Sequence, residues 1–252
     1  MSRNFELLYQ MHKTQEMLQA EPEPAPETVV AGELLPAVPA VEIDGMAREE
    51  IDKLVQRLFV LPGKDAARHV VFTGMESGDG CSWICARVGE LLASQVSGSV
   101  CIVDCNLSAP SLAQQFKVEN HHGLSDALLG DGPIRQYAQQ LSRPNLWLVS
   151  GGAYAENPQE LLTSGRMRAR MLELRSQFNY VLMDVAAFNV CNHAMAFGGQ
   201  SDGVVLVLKA NSTRRDATRE VKQQLQSSNV RLLGAVLNQR TFPIPERIYS
   251  KL

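Results

Sequence analysis

No run of 18 consecutive apolar residues occurs in the chain, which is too few for a helix that crosses a bilayer. The first residues, MSRNFELLYQMHKTQEM, lack the apolar core of a signal peptide, and the expectation is a cytoplasmic protein, recruited to the inner membrane only through a partner. Charge of one sign is also missing: 24 basic and 27 acidic residues leave a formal net charge of −3. The segment through Asp44 holds two basic and eight acidic residues, so the remainder carries 22 against 19, a surplus too small to argue for nucleic acid. None of the five cysteines has C-x-x-C spacing, and without an export signal they are expected as reduced thiols. Cys81 and Cys85 share a helix face and Cys101 and Cys105 a strand face, so a four-thiolate metal or iron-sulfur site is the minor alternative to small buried hydrophobes. His121 and His122 precede a glycine in a loop and earn no catalytic role without a partner.

The most informative absence is a lysine. Val70 to Ala93, VVFTGMESGDGCSWICARVGELLA, has the layout of a phosphate-binding loop between a buried strand and a helix. The β-branched and aromatic run His69 to Thr73 reads as the strand. Ile84, Cys85, Val88, Leu91 and Leu92, spaced at three and four, read as the apolar face of the helix. Gly78 and Gly80 supply the permissive backbone, and Ser82 falls on the first helical turn, where a hydroxyl reaches the magnesium of a nucleoside triphosphate. Of G-x-x-x-x-G-K-[ST] only the second half is met, because Met75 stands for the first glycine and Cys81 for the lysine. A unit charge pair at about 4 Å with an effective dielectric near 20 is worth roughly 4 kcal/mol, on the order of a thousandfold in affinity. Glu76 and Asp79 add negative charge where phosphates would sit. The bland alternative is a glycine-rich turn that binds nothing.

Val100 to Asp104 (VCIVD) and Tyr180 to Asp184 (YVLMD) read as buried parallel strands, each ending in an acid. The carboxyl ends of such strands converge on the ligand crevice, so Asp104 and Asp184 are expected to face the loop; taken singly, each reads equally well as a turn or helix cap. Asn145 to Val149, Gly203 to Leu208 and Leu232 to Leu237 complete the strands. Thr213 to Ser227 reads as a charged amphipathic helix, and Asn157-Pro158 as the start of a long helix to about Gln177. On that helix Arg166, Arg168, Arg170 and Arg175 alternate with acids and read as a solvated face. The fold expected is α/β, a three-layer, doubly wound and mostly parallel sheet of the P-loop NTPase type. Residues 21–42, rich in Ala, Pro and Glu, form a linker between a docking helix or frayed tail over 1–20 and the domain at 43–252. Phe5, Leu7, Leu8, Met11 and Leu18 would form the docking face, with Asn4 as cap.

In order and spacing these motifs, together with GLSDALLG (Gly123 to Gly130), the Asn157 to Asp184 segment and Ser201 to Asn238, resemble the bacterial tyrosine kinase family of capsular and exopolysaccharide assembly. That family is related to the septum-site and plasmid-partition P-loop ATPases, and the resemblance covers about residues 46 to 242. It implies ATP and magnesium as cofactors, with Gly78, Asp79, Gly80, Cys81, Ser82 and Asn238 on the nucleotide. It places Ser82, Asp104 and Asp184 on the metal, and makes Asp104 and Asp184 catalytic if the chain is active. It also implies a membrane-embedded chain-length-control or export partner, and a homo-oligomer.

Nearly every residue that does chemistry in the family is altered. Besides Cys81, Asn106 replaces a second aspartate, Ser108-Ala109 replace two basic residues, and Val185-Ala186-Ala187 replace Thr-Pro-Pro. The subunit-packing motif Glu-x-x-Arg-x-x-Arg is reduced to Glu50, Lys53 and Gln56, and the C-terminal tyrosine cluster to Tyr249. Three functions compete: a degenerate scaffold or regulator of polysaccharide export with weak or no ATP turnover, an active autokinase in which Arg87, Lys209 or Arg214 replaces the lysine, and a localisation ATPase. Against the last, Glu76 reverses the charge of a second loop lysine in that group.

Overall fold

A computed structural model describes residues 45–61, 66–152 and 156–240. The expected docking helix, the linker, Tyr249 and the C-terminal prolines lie outside the described residues. In chain order the elements are α1 (Gly45–Val55) with a π-helical turn (Gln56–Val60), β1 (His69–Gly74), α2 (Cys81–Gln95), β2 (Val100–Asp104), α3 (Leu112–Phe116), α4 (Leu124–Leu129) and a 3-10 turn (Ile134–Tyr137). They continue with β3 (Gln139–Gln140), β4 (Leu146–Val149), α5 (Pro158–Thr163), α6 (Gly165–Gln177), β5 (Tyr180–Val185), α7 (His193–Gly198), β6 (Gly203–Lys209), α8 (Arg215–Ser227) and β7 (Leu232–Asn238).

Every residue of β1 and β2 is buried, as a strand covered on both faces requires, and this is why their sequences run apolar without alternation. The seven-stranded sheet has the order β3-β4-β2-β5-β1-β6-β7. All neighbours are parallel except the two-residue β3, which pairs antiparallel with β4 at the edge. The period of two along each strand splits the core. Val70, Phe72, Ile102 and Leu182 face Ile51, Val55, Ile84, Val88 and Leu92 of α1 and α2. Val71, Val103, Val181 and Met183 face Leu128, Met167, Met171, Leu174 and Leu225 on the opposite side. This is the three-layer, mostly parallel architecture expected. Among the described residues no helix is long and apolar enough to cross a membrane.

The long helix expected from Asn157 to Gln177 is two helices. Ser164 leaves the helical region (φ −69°, ψ 157°) and its side chain accepts from the Met167 N–H, so a new N-cap interrupts the run before Gly165. The pattern of apolar residues continued across the break, which hid it. The two-residue β3, α3 and α7 are too short to carry a readable period.

Three of the four arginines of α6, Arg166, Arg168 and Arg175, are exposed as a solvated face requires, but Arg170 is not. Arg170 is buried and donates from Nε to the Ala127 carbonyl (2.9 Å), from Nη2 to that of Gly130 (2.8 Å) and from Nη1 to Glu173 (2.8 Å). Arg166 donates to the carbonyls of Leu128, Leu129 and Gly130 and pairs with Asp131. Both guanidinium groups therefore cap the C-terminus of α4, where the last carbonyls carry partial negative charge and lack helical partners. Arg175 is exposed and reaches the Gln200 carbonyl and Asp202, while Arg168 is exposed with no polar contact of its own among the described residues. Arg170→Met should therefore destabilise the fold by about 2–4 kcal/mol, while Arg168→Ala should stay within about 0.5 kcal/mol. Urea denaturation of the two variants measures this; equal effects would mean the α4 cap contributes nothing.

Candidate phosphate-binding site

The loop between β1 and α2 turns on two glycines in the left-handed region, Gly78 (φ 92°) and Gly80 (φ 83°), the second serving as the N-cap of α2. A side chain at Gly80 would collide with the Asn238 amide, so backbone and neighbour both require glycine there. The loop is held by its own side chains. Asp79 is buried, and its Oδ2 accepts the N–H groups of Met75 (3.0 Å) and Glu76 (2.9 Å). From the end of β7, Asn238 Nδ2 donates to the Asp79 carbonyl (2.8 Å) and Gln239 Nε2 to that of Gly78 (2.9 Å). The segment after β5 closes the other side, with Phe188 N–H on the Gly74 carbonyl (3.0 Å) and Asn189 N–H on that of Met75 (3.2 Å).

Asp104 and Asp184 end adjacent parallel strands in direct register, and both are buried. Asp104 is already committed: Oδ1 accepts from the Asn106 N–H (3.2 Å) and Oδ2 from those of Ser111 (2.9 Å) and Leu112 (3.0 Å), which caps α3. The capping alternative thus describes what its oxygens do. Burial still pushes its pKa up to about 6, against the pull of those three amides. Asp184 is pushed up to about 7 by burial and by the Asp104 charge, opposed by hydrogen bonds with Ser82 and Cys81. Its Oδ2 is buried with no hydrogen-bond partner among the described residues. The Cys81 thiol is driven well above its ordinary value by burial and by the Asp184 charge, so it is a neutral group at neutral pH.

The structure therefore brings together Gly78, Asp79, Gly80, Cys81, Ser82, Asp104, Asp184 and Asn238. Gln239, which adds a second strap, gave no sequence signal beyond its place after Asn238. Of the three candidate cations, one is engaged elsewhere, and Lys209 lies in register with Asn238 beside the loop. Arg87 is buried on α2, paired with Glu90 at 2.7 Å and stacked over Phe116 at 5.6 Å. Lys209 and Arg214 are exposed, and among the described residues neither has an ion-pair partner. A four-thiolate site is not formed: Cys101 and Cys105 belong to the apolar layer across the sheet from Cys85, and all five cysteines are free. Among the described residues no three His, Cys, Asp or Glu side chains are grouped to hold a metal.

The Asp184 Oδ2, unpartnered among the described residues, and the Ser82 hydroxyl beside it are hard oxygen donors suited to magnesium. On the phosphate side the loop carries a neutral thiol in place of an ammonium, with the carboxylates of Glu76 and Asp79 close by.

No protein-family model matches the chain. Its homologues are bacterial tyrosine-protein kinases. The chain is similar to the tyrosine-protein kinase YwqD of Bacillus subtilis, 28% identical over 171 residues that make up 68% of this chain and 72% of that protein. It is 24% identical over 169 residues to the tyrosine-protein kinase Etk of Escherichia coli, covering 67% of this chain but only 23% of the relative. Among solved structures, the Escherichia coli ETK kinase domain superposes with a TM-score of 0.69 at 20% identity, covering 79% of each chain. The septum site-determining protein MinD of Pyrococcus horikoshii, solved with Mg-ADP, gives 0.59 at 19%, covering 73% of this chain and 76% of that one. These likenesses establish a P-loop ATPase fold.

Both carboxylates ionise at higher pH in the folded chain than their ordinary 3.8, so their contribution to stability is greatest below that value and falls as pH rises through about 6 and about 7. Asp184→Asn removes one of the two. Between pH 5 and pH 7 the variant should gain on the parent by about 1.4 kcal/mol per pH unit. Urea denaturation across that range reads the gain, and a pH-independent difference would show that Asp184 ionises normally.

Proposed function

We propose that this chain, a homologue of the bacterial tyrosine-protein kinases on a P-loop ATPase fold, acts as a scaffold or regulator rather than as a phosphoryl-transfer enzyme. The observation that carries the reading is the neutral Cys81 thiol on Asp184, at the point where a loop lysine would hold phosphate. Charge stabilisation is the main resource of phosphoryl transfer, and Cys81 brings no charge to it. Arg87, the buried substitute nearest in sequence, is spent on Glu90 and Phe116. The loop instead keeps its shape through Asp79, Asn238 and Gln239.

The process is inferred from the resemblance to kinases of capsule and exopolysaccharide assembly. The partner is a membrane-embedded chain-length-control or export protein, which would bring a cytoplasmic chain to the inner membrane. Self-association of the kind that ring-forming relatives use is weakened. Lys53 pairs with Glu50 at 2.6 Å and Gln56 bonds Gln95 at 2.8 Å, so the remnant motif is turned to contacts within the chain.

Isothermal titration with ATP and magnesium should give no binding tighter than about millimolar, and radiolabelled ATP should leave no phosphotyrosine on the chain. Cys81→Lys should tighten binding by two to three orders of magnitude, the worth of the missing charge pair. Micromolar binding with autophosphorylation by the parent chain would end this reading in favour of an active kinase.

A further inference from the structure

The five thiols of the chain do not share one environment. Cys85, Cys101 and Cys105 are fully buried, and burial drives each thiol well above its ordinary value. Cys81 and Cys191 are both half-buried, but Cys81 lies against Asp184, whose charge adds to burial in driving its thiol up. Cys191 lies in the segment between β5 and α7, beside exposed Asn189, Val190 and Asn192, with Sγ 3.3 Å from Nδ1 of His193. The imidazole is itself buried and lies against Phe197, ring centroids 6.1 Å apart, which fixes its plane. Burial also lowers the His193 pKa, so the ring is neutral near pH 7. A thiol within hydrogen-bond reach of a base, open to solvent on one side, is the arrangement that activates a sulfur nucleophile.

We propose that Cys191 is a site of thiol–disulfide exchange with low-molecular-weight disulfides, with His193 as its base. The thiol proton passes to Nδ1 of His193, and the sulfur electron pair attacks one sulfur of the incoming disulfide. A new S–S bond forms as the old one breaks, and the departing thiolate takes the proton from the imidazolium. Cys191 is oxidised and the departing sulfur reduced, so no further reactant is needed. The adduct is carried by the segment whose Phe188 and Asn189 amides clasp the start of the phosphate loop. This assignment is independent of whether the chain turns over ATP.

The test uses the intact chain and 5,5′-dithiobis(2-nitrobenzoate) as the disulfide, with release of its thiolate followed by absorbance and the labelled peptide identified by mass spectrometry. One equivalent should react about tenfold faster than the rest and map to Cys191. Cys191→Ser should abolish that phase, and His193→Gln should slow it by about tenfold. In urea the parent and His193→Gln should react alike, since the difference belongs to the folded geometry. A fast phase mapping to Cys81, or a His193→Gln rate equal to the parent's in the folded chain, would overturn the proposal.

Discussion

Two carboxylates buried side by side at the end of a parallel sheet are the constraint from which the rest of the site follows. Asp104 and Asp184 are in register on β2 and β5, and neither is exposed to water. An uncompensated charge there is costly, so each needs donors, a proton or a cation. Asp104 is satisfied by three backbone amides as the chain turns into α3. Among the described residues Asp184 has Ser82 and Cys81, and its Oδ2 is left without a partner. The neutral thiol is compatible with that neighbour because Asp184 holds its proton to about pH 7.

The same economy of charge explains how the loop stays ordered. A phosphate-binding loop presents several N–H groups to one point, and something must accept them. Here the Asp79 carboxylate takes those of Met75 and Glu76, while Asn238 and Gln239 hold the carbonyls of Gly78 and Asp79 from across the sheet. Arg166 and Arg170 follow a similar logic at the C-terminus of α4, where their guanidinium groups take up its last carbonyls.

β1, β2 and β5 were legible because strands covered on both faces must be apolar throughout; β2 ends at Asp104 as read, while β1 and β5 each run one residue past Thr73 and Asp184, to Gly74 and Val185. The turn at Gly78 and Gly80 was legible because only glycine takes that backbone readily. The break at Ser164 was not, since a serine before a glycine leaves the spacing of the flanking apolar residues unchanged. Neither was the burial of Arg170, because an arginine between acids reads the same whether it meets water or a row of carbonyls.

By itself the sequence determined the layered parallel fold, the position of the glycine loop and the loss of its lysine, since all three rest on local residue identity. Only the tertiary structure decided what each polar group spends its bonds on. Asn238 and Asp79 are far apart in the chain and meet because β7 and β1 flank β6. Arg87 stacks over Phe116 because of where α2 packs, and Asp104 rather than Asp184 receives the amides of α3 because of how the chain turns after β2. Hydrogen bonds and ion pairs over such separations depend on the path of the backbone in space, and no spacing along the sequence encodes that path.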